Sequence, residues 1–243
     1  MRKNPFSSLV PYHVITRAID GRKIFARKAE VLRFIFQSYV ANIGSPAPNF
    51  YRQKIESAAQ AILNGEEVPK RLIITPHPPL VYCLSFVLVV NHIHEILVSN
   101  TEDGISRYLQ CRHNGFAKYY NLKHNRKGNL FERPTKIIPI KKESQFEAVF
   151  KYINIINVLD VYQPDWREKG LYNEKEALKF LEKYPFSSFP DFFGERNCKL
   201  LAPKEILGQF FGEGLFQHKE EYLKSYKTFL SEHNKLLKGI CIE

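Results

Sequence analysis

The stretch LVYCLSFVLVVNHIHEILVS, residues 80–99, constrains the fold more than any other part of the chain. Its longest apolar run, residues 80–90, is about half the roughly 20 residues that a membrane helix needs. Buried β-structure is the alternative, either two antiparallel strands or one long bent strand. Side chains on a strand alternate between faces, so His92 and His94 share a face, one pleat repeat apart. That spacing suits one metal ion held between two nitrogens. It equally suits a pair of satisfied core or surface histidines.

The elements around this run point to an α+β fold. YHVITRAI (12–19) reads as a strand with a turn at IDGRK. KAEVLRFIFQSYVANI (28–43) and FYRQKIESAAQAILNG (50–65) have helical apolar spacing, separated by the breaker GSPAPN. RLIITPHPP (71–79) reads as a strand or extended segment, and DGISRYLQCRHNGFAKYYNLKH (103–124) as a basic, aromatic amphipathic helix. TKIIPIK (135–141) reads as an outer strand, because its proline donates no ladder hydrogen bond. SQFEAVFKYINIINVLD (144–160) reads as a helix. Strand, helices, strands, helix, strand, helix in that order predicts an antiparallel sheet covered by helices. Beyond about residue 165 the texture becomes rich in lysine and glutamate, with two helical stretches joined by the aromatic loop FSSFPDFFG.

The four cysteines, Cys83, Cys111, Cys198 and Cys241, form no CxxC pattern, which excludes a zinc framework or a disulfide scaffold and fits a reducing compartment. The opening MRKNPFSSLVPYHV lacks the apolar stretch of a signal peptide, so a cytoplasmic protein without membrane association is expected. There is no Gly-rich phosphate loop and no GxSxG elbow. A net charge of +11 suits a polyanionic partner. Near the histidine pair, Arg107, Arg112, Lys118, Lys123, Arg126 and Lys127 alternate with Tyr108, Phe116, Tyr119 and Tyr120. Cations grip phosphates and rings stack on exposed bases, which is how single strands are commonly held. The competing reading is a solvated helix face over an aromatic core stripe. A metal pair beside a basic-aromatic surface suggests phosphoryl chemistry on nucleic acid.

YHVITRAIDGRKIF, LSFVLVVNHIHEIL, GISRYLQ, YYNLKHNRKGNLFERPTK and FKYINIINV occur in the order found in the HUH-type single-tyrosine transposases. The chain most resembles their REP-associated tyrosine transposase branch, within the insertion-sequence-200-like family, over roughly residues 10–165. The resemblance implies a ferredoxin-like antiparallel sheet with helices on one face, followed by a helical C-terminal extension. It divides the chain into a catalytic domain over 1–165, with a helical insertion near 44–70, and the extension over 166–243. It implies a divalent metal, Mg2+ or Mn2+, held by His92, His94 and a side chain of the last core helix, matched here by Asn157. It implies Tyr152 as nucleophile toward single-stranded or hairpin DNA, and Arg17 and Arg133 as DNA contacts. Relatives are monomers or tyrosine-helix-exchanging homodimers, and a monomer is favoured here.

Two departures stand out. VVNH replaces the family's Met-Pro-Asn-His, and Tyr152 precedes Asn157 by five residues where the family has four. Five residues turn a regular α-helix by about 140°, which separates the two groups. Three readings follow: a one-residue bulge that restores a common face, a different third ligand beside Tyr152 with Asn154 or Glu95 as candidates, or an inactive, domesticated copy that still binds DNA. An RNA-binding protein with a similar sheet is a further rival. His13 and His77 are read as structural, and His113 and His124 as candidates for phosphate contact.

Overall fold

The computed structural model describes residues 10–46 and 52–211. In chain order the elements are β1 (Pro11–Arg17), α1 (Lys28–Ile43), β2 (Ser45–Pro46), α2 (Arg52–Asn64), β3 (Ile73–Ile74), β4 (Val81–Leu88), β5 (His92–Ser99), α3 (Gly104–Lys123) and β6 (Lys136–Pro139). Then follow α4 (Glu143–Lys151), a π-helical turn (Tyr152–Ile156), α5 (Asn157–Tyr162), α6 (Trp166–Lys169), α7 (Glu174–Lys183), α8 (Phe189–Phe193) and α9 (Lys204–Phe211). β4, β5, β1 and β6 form an antiparallel sheet in that spatial order. With α1 and α3 as the crossovers, this is the βαββαβ ferredoxin-like arrangement. β2 and β3 form a separate two-stranded ladder.

The long apolar run is two antiparallel strands. It reverses at Val89–Asn91, where the Val89 amide donates to the His92 carbonyl at 3.0 Å. β4 and β5 are apolar on both sides, so both sides need cover. On one, Val14, Phe86, Ile93 and Leu97 meet Phe34, Ile35, Ile105 and Phe116 of α1 and α3. On the other, Leu84, Val87, Ile96 and Val98 meet Val149, Ile153, Phe189 and Leu181, from α4, the π turn, α8 and α7. The expected helices on one face are α1 and α3. The later helices add a second layer, so the described part of the C-terminal extension shares a core with the sheet.

Most element bounds match the sequence periods, and three do not. The helix expected over 144–160 is interrupted by the π turn. The aromatic loop contains a short helix, α8, with Pro190 in its first turn, where the missing N–H costs nothing. The extended reading of 71–79 reduces to the two residues of β3. The lysine-rich helix expected over 219–237 lies outside the described residues. No described helix is long and apolar enough to cross a membrane.

Candidate functional site

The alternation of β5 puts His92 and His94 on the face covered by the π turn, and Ile93 and Glu95 on the face covered by α3. β1 runs antiparallel beside β5, with Arg17 opposite His92 and Ile15 opposite His94. The same alternation brings His13 and Arg17 to the histidine face. The two rings of the pair lie 4.9 Å apart between centroids at an interplanar angle of 77°.

The π turn determines what meets them. The Asn157 amide N–H bonds to the Tyr152 carbonyl, an i to i−5 step, and the Asn157 side-chain Nδ2 donates to the same carbonyl at 3.0 Å. One extra residue in the turn brings positions five apart to a common face. Tyr152 therefore lies edge-on to His94, centroids 5.3 Å apart, while the Asn157 side chain comes close enough to His92 to oppose the lowering of its pKa. Behind the turn, Asn154 donates to the Ser85 hydroxyl at 2.9 Å and accepts from the Ser188 hydroxyl at 2.7 Å. That clamp ties the turn to β4 and to the segment entering α8. It also removes Asn154 from the ligand candidates, and Glu95 is removed by its place on the opposite face.

Both imidazoles are neutral at pH 7. Burial, then the Arg17 charge, lowers His92 to about 4, against smaller opposing effects of Asp160 and Asn157. Burial, then His13, His92 and Arg17, hold His94 well below the ordinary histidine range. His92 Nδ1 sits 2.7 Å from Asn91 Oδ1, an acceptor, so the ring proton is on Nδ1 and the Nε2 lone pair is free. His94 Nδ1 is 2.9 Å from His13 Nε2, and the buried His94 Nε2 has no hydrogen-bond partner among the described residues.

No group of three or more His, Cys, Asp or Glu side chains able to hold a metal occurs among the described residues. The third candidate, Asn157, is an amide. His92, His94 and Asn157 fit a divalent ion, because a buried ring nitrogen faces the site without a partner. Two imidazoles with one amide oxygen suit Mn2+ better than Mg2+, which prefers all-oxygen shells.

Cations surround the tyrosine. The Arg167 guanidinium carbon lies 6.0 Å from the Tyr152 ring centroid. Arg167 is itself held by Asp160, Nε to Oδ1 at 2.9 Å and Nη2 to Oδ2 at 2.5 Å, and Trp166 Nε1 donates to the same carboxylate at 2.8 Å. Burial raises the Tyr152 phenol above its usual range, while the charge and hydrogen bond of Arg167 pull it back. Arg17 has a buried Nε without a partner among the described residues.

The other expected DNA contacts are dispersed. Arg112 requires a correction: it is 0% exposed and its Nη1 lies 2.6 Å from Glu95 Oε1, so it cannot reach a nucleic acid. Arg107 and Lys118 are exposed on α3, behind the sheet from the histidines. Lys123 is tied to Glu30 at 2.6 Å, and Arg126 donates to Asn121 Oδ1 and the Asn129 carbonyl, closing the turn after α3. Lys127 and Arg133 are exposed in the segment that passes β1, where the Glu132 amide bonds to the Arg17 carbonyl at 2.9 Å. His113 and His124 bond to Thr16 and Glu30.

His13, Asp160 and Arg167 were not singled out in the sequence for this site. Period-two alternation from Arg17 carries the signal for His13. Arg167 follows the expected domain boundary and carries no comparable signal. Exposed Arg22, Lys23, Arg27 and Lys28 follow β1, beside the β4–β5 turn, where the Phe25 amide bonds to the Val90 carbonyl at 3.0 Å.

No protein family matches the chain, and no curated protein matches it. Among solved structures, it is similar to a REP-associated tyrosine transposase bound to a REP hairpin, at 10% identity and a TM-score of 0.44, over 84% of this chain and 91% of that one.

Proposed function

We propose that the chain is a metal-dependent single-strand DNA transposase that nicks beside a hairpin through a 5′-phosphotyrosine intermediate. The observation that carries this reading is the π turn, which gathers Tyr152 and Asn157 at the His92–His94 pair although their spacing would part them in a regular helix. The substrate class comes from the ordered sequence motifs.

In this reading His92, His94 and Asn157 would hold Mn2+ or Mg2+, which would supply Lewis-acid polarisation of the scissile phosphate. The Tyr152 oxygen attacks phosphorus and forms the phosphotyrosine ester. The P–O3′ bond breaks, its electron pair stays on O3′, and a proton equivalent to the one leaving the phenol yields a free 3′-hydroxyl. Arg17 and Arg167 bring positive charge to the tyrosine, where the phosphate must sit and where a phenolate is otherwise disfavoured by burial. The covalent link keeps the phosphodiester energy, so rejoining needs no ATP. Lys127, Arg133 and the cations following β1, all exposed, would hold flanking phosphates. A monomer is the favoured state in this reading.

The test is incubation with Mn2+ and 3′-end-labelled hairpin strands from DNA flanking the protein's own gene, resolved on a denaturing protein gel. A labelled protein band is expected with the wild type and not with Tyr152→Phe or His92→Ala. Hairpin binding with no covalent band under any divalent ion would reduce the function to DNA binding. Preferential binding of RNA hairpins would overturn the substrate class.

A further inference from the structure

We propose that His13 is a positioning residue whose Nε2 accepts the Nδ1 proton of His94 and so keeps the His94 Nε2 lone pair turned into the site. The inference rests on the metal-site reading of His92, His94 and Asn157 and adds a residue to it.

His13 comes from β1 and His94 from β5. Both side chains are 0% exposed, their rings stack at 5.1 Å with 25° between planes, and the facing nitrogens are 2.9 Å apart. Both rings are wholly buried and face each other nitrogen to nitrogen, and an imidazolium there would be a buried charge without a counter-ion, so both rings are neutral. Two neutral imidazoles sharing one hydrogen bond have two settings. In one, His94 donates from Nδ1, its Nε2 carries a lone pair, and the second proton rests on His13 Nδ1. In the other, His13 donates from Nε2, and His94 Nε2 carries a proton.

Only the first setting lets His94 act as a ligand. His94 Nε2 and His13 Nδ1 are the two buried nitrogens of the pair without partners among the described residues. A cation at His94 Nε2 removes one of those unmet needs, and only in the first setting. Cation binding and the His13 hydrogen bond therefore support each other.

The choice of partner is also informative. A carboxylate would orient His94 equally well, as metal-bound histidines often are oriented. It would also add negative charge next to the place a phosphate must occupy. A buried neutral imidazole orients the ligand and adds none.

The experiment compares wild type, His13→Leu, His13→Met and His13→Gln, with His94→Ala as control. Mn2+ affinity is read from the free-ion EPR signal, thermal stability is measured in EDTA, and the His94 tautomer is read from long-range 1H–15N spectra without metal. Leu and Met cannot accept the bond, whereas the Gln amide oxygen can. Expected are a loss of about 10–100-fold in Mn2+ affinity for Leu and Met with the fold retained, and substantial recovery in Gln. Wild-type His94 should carry its proton on Nδ1, and the Leu and Met variants should show it moved to Nε2. Leu or Met variants that match wild-type affinity, with His94 still protonated at Nδ1, would overturn the role of His13 while leaving the metal site standing. A wild type with no saturable Mn2+ site would remove the metal reading, and this inference with it. Should one non-accepting variant fail to fold, the other and the wild-type spectrum still decide.

Discussion

The two faces of β5 carry two buried polar clusters back to back, and they solve the problem of buried polarity differently. On the α3 face, Glu95 meets Arg112 at 2.6 Å, Arg112 also donates to Tyr108 Oη at 2.9 Å, and its guanidinium lies 5.0 Å from the Phe34 ring centroid. Burial alone would lower the arginine, and the Glu95 carboxylate more than reverses this. Charge is matched inside the cluster, although Glu95 Oε2 and Arg112 Nε are buried without a hydrogen-bond partner among the described residues. On the π-turn face, His92, His94, His13, Asn157 and Tyr152 bring neutral lone pairs and a phenol. Arg17 adds a cation, and the nearby carboxylate Asp160 is already engaged with Arg167 and Trp166. One cluster pairs its charges internally. The other leaves a neutral ring nitrogen of His94 and the Nε of the Arg17 cation without partners among the described residues.

The largest stability effect should come from the closed face. Arg112→Met leaves Glu95 buried without a counter-charge and is expected to cost about 3–5 kcal/mol in urea unfolding. Replacing both partners with apolar residues should recover much of that loss. His94→Ala on the open face should cost less than Arg112→Met while abolishing Mn2+ binding. Equal costs would erase the contrast.

Acid should act through the open face. His92 has a folded value of about 4 against 6.5 unfolded, so between these the unfolded chain binds more protons. Stability is therefore full above pH 6.5 and falls on acidification toward pH 4, by about 3 kcal/mol from this group in EDTA. Denaturation midpoints at pH 7 and pH 4.5, with wild type and His92→Gln, would measure the slope. Part of the slope should survive in His92→Gln, because burial lowers His13, His94 and His113 in the same sense; a slope unchanged from wild type would show that His92 contributes none of it.

Ser188→Ala breaks the clamp behind the π turn and leaves the Asn154 oxygen buried without its donor, at a cost of about 1–3 kcal/mol. DNA cleavage should fall further than this stability loss accounts for, because the same turn carries Tyr152. The smallest effects belong to Arg107→Ala and Lys118→Ala. They stand behind the sheet and should change stability by under about 0.5 kcal/mol. Hairpin affinity should drop more for Arg17→Ala and Arg133→Ala than for either.

The residues differ in how much of this they disclosed. Period two placed His92 and His94 on one face, and apolar spacing gave α1 and α3 nearly to the residue. The five-residue gap from Tyr152 to Asn157 posed the question of a bulge, and the π turn is the bulge. Arg112 misled because charge was weighed over period. It lies on the same stripe as Ile105, Tyr108, Leu109 and Phe116, and that stripe faces the core. The His13–His94 contact spans 81 positions and depends on strand register, which sequence spacing does not encode. Arg167 reaches Tyr152 through the packing of a segment after the transposase-like motifs, where no motif points to it.

The most direct measurement is the anomalous difference density of Mn2+ in crystals of the wild-type protein. One peak is expected, bound by His92, His94 and Asn157 and adjacent to the Tyr152 hydroxyl, with the turn at 152–156 retained. A saturated crystal with no peak there, or a peak on the histidines with Asn157 turned away in a regular helix, would contradict the site.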